Sequence, residues 1–262
     1  MDKATWGGVF VALAGIVAGL LLEGGRVSQI LQPTSAMIVF GGTIGAVLIQ
    51  FPLPTILGAF RRLASIFVEP RHDARDILKQ LVKYAKEARR DGIIALDQEL
   101  PKIKDAYLKK TLMLAVDGTE PQELRRIAEL EMENRLEREE KFSHVFESAG
   151  GFSPTIGIIG AVLGLIQVMQ HLDKIDEVGK GIAEAFVATI YGVGAANLFF
   201  LPAAGKLRIR MREEQTLHEM TLEGVISILE GMNPRMLEIK LSGFLTGQGM
   251  MESEKPRARA AH

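Results

Sequence analysis

Four long apolar stretches interrupt an otherwise charged chain, and nothing else in the sequence limits the fold as much. They run from Ala4 to Leu22, Thr34 to Phe51, Ala149 to Met169 and Gly181 to Gly205. Each is close to the ~20 residues a helix needs to cross a ~30 Å hydrocarbon core. The expectation is an all-α, polytopic membrane protein with four transmembrane helices in two hairpins. Between the second and third stretches lies the segment Arg61–Ser148, too charged to enter lipid and too helical in its periodicity to be a tether. It reads as a helical cytoplasmic domain. The chain therefore divides into residues 1–60 with spans 1 and 2, 61–148 as the cytoplasmic domain, 149–205 with spans 3 and 4, and 206–262 as C-terminal helices and tail.

Averaged over the chain, 47% hydrophobic and 24% charged residues would suit a soluble protein. The average conceals alternation between nearly charge-free and densely charged blocks. Of the 31 Lys and Arg residues, only Arg26, Lys174 and Lys180 fall on one side of the expected membrane. Near the helix ends Arg61, Arg62, Lys141, Lys206, Arg208, Arg210 and Arg212 dominate the other side, so both termini and the charged segment are expected in the cytoplasm. The first stretch ends Leu20-Leu21-Leu22-Glu23 without a small-residue cleavage site, which argues for a retained span and against a signal peptide. Zero cysteines excludes disulfides and thiolate metal sites.

Small residues recur four apart inside the spans: Gly15 with Gly19, Gly41 with Gly45, and Gly160 with Gly164. Such pairs let helix backbones approach closely in lipid, and the first two read as packing this chain's own hairpins. The third and fourth spans also carry polar groups and prolines: Ser153, Pro154 and Thr155, then Glu184, Thr189, Asn197 and Pro202. Each threonine alone reads as bonding back to a carbonyl one turn earlier. Taken with two prolines that free backbone groups, they read as a polar lining. No Asp, Glu, Lys, Arg or His lies near the middle of a span, Glu184 sitting only a few residues inside the fourth. A chain in an ion-driven machine would then need its intramembrane ionisable group from another chain.

In the charged segment Ile77, Leu81, Val82, Tyr84, Ala85 and Ala88 share a helical face between Asp73 and Arg89-Arg90, and Gly92 ends that helix. A short helix passes through Asp97 and Leu100, Pro101 marks a restart, and Ala106–Val116 forms another helix. A long helix from Pro121 to about Ser148 is expected to be supported by pairs such as Glu131 with Arg135. Lys206–Leu229 extends the fourth span, a last helix reaches Leu245, and the end after Gly247 reads as disordered. No phosphate-binding loop, metal-spaced histidine pair or nucleophile elbow is present, so no cofactor, no metal and no enzymatic activity are expected.

Several separated segments carry a resemblance. Ala88-Arg89-Arg90-Asp91-Gly92-Ile93-Ile94-Ala95-Leu96-Asp97, Ala115-Val116-Asp117-Gly118, the run from Pro154 to Leu165, and Leu229-Glu230-Gly231 with Asn233-Pro234 stand in the order seen in the MotA/PomA family of flagellar stator proteins. The resemblance spans about residues 1–245. It implies a pentamer of this chain around a dimer of a MotB-type, peptidoglycan-anchored partner that supplies an intramembrane aspartate. Protons passing that aspartate would turn the ring in the inner membrane, and the cytoplasmic domains would push on the rotor protein FliG. Arg89 matches the family's rotor-facing arginine, Asp97 falls where a glutamate is usual, and Glu131 aligns with another charged interface position. Pro154 and Pro202 match the family's two prolines, while Thr155 and Thr189 match positions facing the partner's aspartate. Gly160, Ala161 and Gly164 fall in the packed part of span 3. Sodium-using relatives tend to carry threonine at Ala161 and aspartate near Gln32; without those oxygens a hard cation is poorly held, which favours protons. The ExbB/TolQ branch shares the two-span core, but its members have three spans and lack the additional N-terminal hairpin. A non-conducting membrane scaffold is the other alternative.

Overall fold

The computed structural model describes residues 3–68 and 73–246, and all regular structure in them is helical. The expected disorder after Gly247 lies outside the described residues. The order is α1 (Lys3–Leu22), a 3-10 turn (Val27–Gln29), α2 (Pro33–Gln50), α3 (Leu53–Val68) and α4 (Ala74–Asp91). A 3-10 segment (Ile93–Lys102), α5 (Ala106–Val116), α6 (Pro121–Gln170) and α7 (Ile175–Ala195) follow. A π-helical turn (Ala196–Phe200), α8 (Leu201–Leu229) and α9 (Pro234–Thr246) complete the chain. The protein divides into two compact units, Met1–Glu69 with Arg138–Arg210 and Pro70–Glu137 with Met211–His262.

Among the described residues three helices are long and apolar enough to cross a membrane: Pro33–Gln50, Pro121–Gln170 and the helical run Val178–Leu229. The apolar run in the N-terminal helix, Gly7–Leu22, is shorter. None of residues 7–22 is buried within the chain, and Phe10 and Leu22 stand 71% and 88% exposed. The glycine pairs Gly15/Gly19 and Gly41/Gly45 do not pack the chain's own hairpin: a Cβ at any of the four meets nothing within 4 Å. Among the described residues no part of this chain covers these faces.

The third span is not a separate helix. It continues from the charged helix as one 50-residue α6 with Pro154 inside it. Proline removes one i→i−4 bond and crowds the carbonyl four residues back, here that of Gly150. Glycine at 150 also lets α8 come close, because a Cβ there would sit 2.7 Å from Leu201 Cδ2. Pro202 acts similarly on the last helix. The Leu201 N–H reaches Ala196 O, five residues back, a widened turn of the kind that accommodates a following proline without breaking the helix.

α3 was not anticipated, its apolar residues lying between Pro52, Pro54 and the basic pair Arg61-Arg62. It buries Ile56, Ala59 and Leu63 in a core with Val145, Phe146 and Ala149 of α6 and Ala203, Ala204 and Leu207 of α8. Gly58 gives the Phe142 ring its place, an added Cβ falling 2.7 Å from Phe142 Cε1. Arg62 Nε bonds Glu139 at 2.7 Å, with the two side chains 13% and 15% exposed.

The second unit is built from amphipathic helices. α4 starts at Asp73, whose carboxylate accepts from the Arg75 N–H at 2.9 Å, and stops at Gly92, whose φ of 85° only glycine adopts cheaply. It buries Ile77, Leu81, Tyr84 and Ala85 as the periodicity predicts, while Val82 and Ala88 stay half-buried. Leu96, Leu108, Leu112, Leu124, Val225, Leu237 and Leu241 complete the core with no accessible surface. The short helix with a restart at Pro101 is instead one 3-10 segment containing Pro101.

Candidate functional site

In the first unit α6 and α7 meet along glycine and alanine. A Cβ on Gly157 would lie 2.9 Å from Ala188 O and 3.5 Å from the Thr189 Cα; on Gly160, 2.8 Å from the Ala188 Cβ; on Gly164, 2.9 Å from Gly181 O. A Cβ on Gly192 would lie 2.5 Å from Ser153 O. The Ser153 hydroxyl, fully buried, closes the seam by donating to Gly192 O at 3.0 Å. Sequence spacing pointed to Gly160 and Gly164 and missed Gly157, Gly181 and Gly192, while Ser153, read as part of a polar lining, serves the seam instead. The signal was available as the run 181, 185, 188, 192 of small residues on one face of α7. Ala161, beside this seam, is half-buried.

Both threonines bond back into their own helices. Thr155 Oγ1 donates to Phe152 O at 2.8 Å and Thr189 Oγ1 to Ala185 O at 3.3 Å. Thr155 is exposed and Thr189 half-buried, and both prolines leave part of their surface open. The structure thus brings the backbone of Thr189 against Gly157, one half-turn from Thr155, and leaves the Thr155 side chain facing outward from the chain.

α2 is bolted to α7 by the hydroxyls of Ser35 and Tyr191, which the sequence did not single out. The Ser35 hydroxyl, 2% exposed, donates to Glu184 O at 3.1 Å. The Tyr191 hydroxyl donates to Ile30 O at 2.6 Å and accepts the Gln32 N–H at 3.2 Å. Gln32 is the residue that opens α2. Its backbone N–H, one that no helical carbonyl reaches, is therefore satisfied by a phenol from α7.

In the second unit Arg89 sits on the last turn of α4 and Asp97 in the 3-10 segment, both exposed. Among the described residues neither makes an ion pair or a side-chain hydrogen bond, while their neighbours are engaged. Arg90 bonds Asp91 at 2.7 Å and holds its carboxyl below the usual range. Glu99 takes Lys83 and Lys102, each at 2.6 Å, and Lys102 first and Lys83 second lower its pKa. The Lys83–Glu99 bond ties α4 to the segment that presents Asp97. Ile94, between the two free charges, is 74% exposed. Glu131 does not pair with Arg135: it bonds Lys110 at 2.7 Å, and Arg135 bonds Glu214 at 3.1 Å. The i,i+4 pair gave way to partners on other helices. Among the described residues no three His, Asp or Glu side chains gather to hold a metal.

This arrangement matches known proteins along its length. Residues 99–220 match the MotA/TolQ/ExbB proton channel family and residues 6–92 the N-terminal model of motility protein A. Motility protein A of Bacillus subtilis is 34% identical over 253 residues, 96% of this chain and 94% of that one. The structure resembles that of the flagellar MotAB stator complex from Bacillus subtilis, with a TM-score of 0.88, 34% identity and coverage of 95% and 98%. It resembles that of C. jejuni MotAB with a TM-score of 0.90, 29% identity and full coverage of both chains.

Proposed function

The chain belongs to the MotA/TolQ/ExbB proton channel family, in its motility-protein-A branch, and from that premise we infer that it is a stator subunit of a flagellar motor. With a MotB-type partner it conducts protons across the inner membrane and converts their motive force into torque on the rotor. The observation that carries this is the α6–α7 hairpin. Its backbones pack closely through glycine, and its middle holds no Asp, Glu, Lys, Arg or His. An ion path along it is complete only when a second chain brings a carboxylate. Each charge crossing 100 mV supplies ~2.3 kcal/mol, enough to bias a step between two packed arrangements.

The finer parts follow from the same premise. α1 is the fourth span, its exposed apolar face and that of α2 covered by lipid and by neighbouring copies in a pentamer around a partner dimer. Both termini and the charged unit are cytoplasmic, as the basic helix ends require. Thr155, Thr189, Pro154 and Pro202 lie along the ion path, and the two hydroxyls exchange their present bonds for the partner's carboxylate. Arg89 and Asp97, unpaired and exposed on either side of Ile94, face FliG; Glu131, already paired with Lys110, contributes less. The N-terminal match over residues 6–92 disfavours the ExbB/TolQ reading.

The test is conduction in vesicles holding this chain with and without a MotB-type partner, under imposed proton and sodium gradients. The chain alone is expected to conduct nothing and the pair to pass protons but not sodium, given Ala161 and Gln32. Robust conduction by the isolated chain would sink the reading, and sodium flux at constant proton-motive force would overturn the ion choice.

A further inference from the structure

The four apolar runs hold a single carboxyl group. Residues 4–22, 33–50 and 148–170 carry no acid or base, and between Val178 and Gly205 only Lys180, Glu184 and the phenol of Tyr191 can titrate. Glu184 lies six residues beyond Val178, where the apolar helix opens, or ~9 Å along its axis. It is half-buried, and among the described residues no ion pair or side-chain hydrogen bond engages its carboxylate. Lys180, one turn earlier on the same helix, is exposed. α2, packed against this part of α7, brings no charge; it brings the Ser35 hydroxyl, 3.1 Å from the Glu184 carbonyl oxygen. Two turns further along, the Tyr191 hydroxyl is held by Ile30 and Gln32. α6, packed through Gly164 against Gly181 and Ala185, carries no ionisable group between Glu147 and its end at Gln170. The remaining charges at this end are Glu23 and Arg26 before α2, Asp173 and Lys174 in the loop before α7, and Asp176 and Glu177 at the start of α7.

A carboxylate kept inside a span and, among the described residues, without a pairing partner is costly and in general retained for the sake of an ion. We propose that Glu184 is a proton-collecting carboxylate at the outer mouth of the ion path, separate from the midspan group the partner supplies. It rests on the proton-channel reading given above. The carboxylate takes a proton from hydronium in the outside water, releasing a water molecule, and the neutral acid passes that proton inward to the next acceptor. Only O–H bonds form and break. Its negative charge also raises the local cation concentration at the entrance.

The consequence is specific to supply. Near neutral pH outside, protons are scarce and a collecting group limits entry; in acid they arrive unaided. The experiment reconstitutes the full chain with its MotB-type partner in liposomes containing a pH dye, imposes a potassium-diffusion potential, and varies external pH from 8 to 5. Glu184→Gln is expected to lower proton influx several-fold at pH 7 to 8 and to approach the unaltered complex at pH 5, with Glu184→Asp retaining most of the influx throughout. A merely structural residue would lower influx by the same factor at every pH, and that result overturns the proposal, as does an unchanged profile. If both variants fail to assemble, Glu184 is structural and the proposal again falls. An unaltered complex that passes no protons would instead overturn the function on which the proposal rests.

Discussion

His218 shows how one buried side chain ties stability to acidity. Its ring stacks on Tyr107, with centroids 4.1 Å apart and planes at 27°. Burial first, and Arg135 second, lower its pKa to about 4 against the opposing pull of Asp105, Glu214 and Glu131. The unfolded chain titrates near the ordinary ~6.5, so between these values it binds more protons than the folded one and stability rises with pH. The contribution is complete above ~6.5 and is lost as pH falls toward 4; fully lost, it amounts to no more than ~3 kcal/mol. Melting the purified complex between pH 7 and 5 should show a falling midpoint. His218→Phe, which keeps the stacked ring and cannot charge, should flatten that slope. A slope that survives the substitution would place the acid sensitivity elsewhere. The pair Tyr107 and His218 was invisible in the sequence, being 111 residues apart on helices that meet only through tertiary packing. Arg89 and Asp97 stand eight residues apart with Gly92 between them, and in the fold they lie on separate elements and do not pair with each other. The pair of Glu131 with Arg135 that their spacing suggested is not made, because only the fold brings Lys110 to Glu131 and Glu214 to Arg135.

Among the elements, the contrast between two kinds of glycine is the most informative. Gly157 and Gly192 hold α6 and α7 together where an added Cβ would meet backbone, and backbone cannot swing aside as a side chain can. Gly45 faces open space within its chain. Overpacking costs about 1–3 kcal/mol even where side chains can adjust, so Gly192→Val should lower membrane levels of the protein sharply. Gly45→Val should leave the single chain folded, since nothing in it is displaced. The check is a blot of membrane fractions, followed by sizing the complex in detergent. If Gly45→Val folds but no longer forms the ring, that face is a contact between chains; if Gly192→Val is harmless, the close seam is not the chain's main constraint. Period-four small residues are visible in sequence, but which of them touch this chain and which await another is a property of packing. The same limit hid α3 and the continuity of α6. A run of apolar residues marks where lipid could lie, whereas a helix carries on through Pro154 wherever neighbours keep it ordered.

For the whole molecule, the proposed function gives the two units separable tasks, and charge reversal can test that separation. Arg89 and Asp97 belong to the charged unit, are exposed, and have no partner there among the described residues. Exposed charges contribute only ~0–1 kcal/mol to stability, and here no pair exists to be broken. Arg89→Glu should therefore leave membrane levels, ring size and proton conduction near normal. Docking on the rotor is another matter, because charges at an interface steer encounter, and like charges set against each other cost several kcal/mol. Swimming should be poor with Arg89→Glu alone and partly restored by reversing a facing charge on FliG. Glu99→Gln offers a graded comparison: it releases Lys83 and Lys102 from a shared carboxylate and loosens the segment carrying Asp97 while leaving Arg89 and Asp97 themselves unchanged. It should weaken swimming less than Arg89→Glu, and a reversal on FliG that restores Arg89→Glu should not restore it, since the signs of Arg89 and Asp97 are kept. Membrane blots, complex sizing, proton flux and swimming, scored for the single and paired variants, separate the outcomes. Loss of the ring in Arg89→Glu would make that residue structural, and failure of every compensating reversal would leave the charged face without a role in torque.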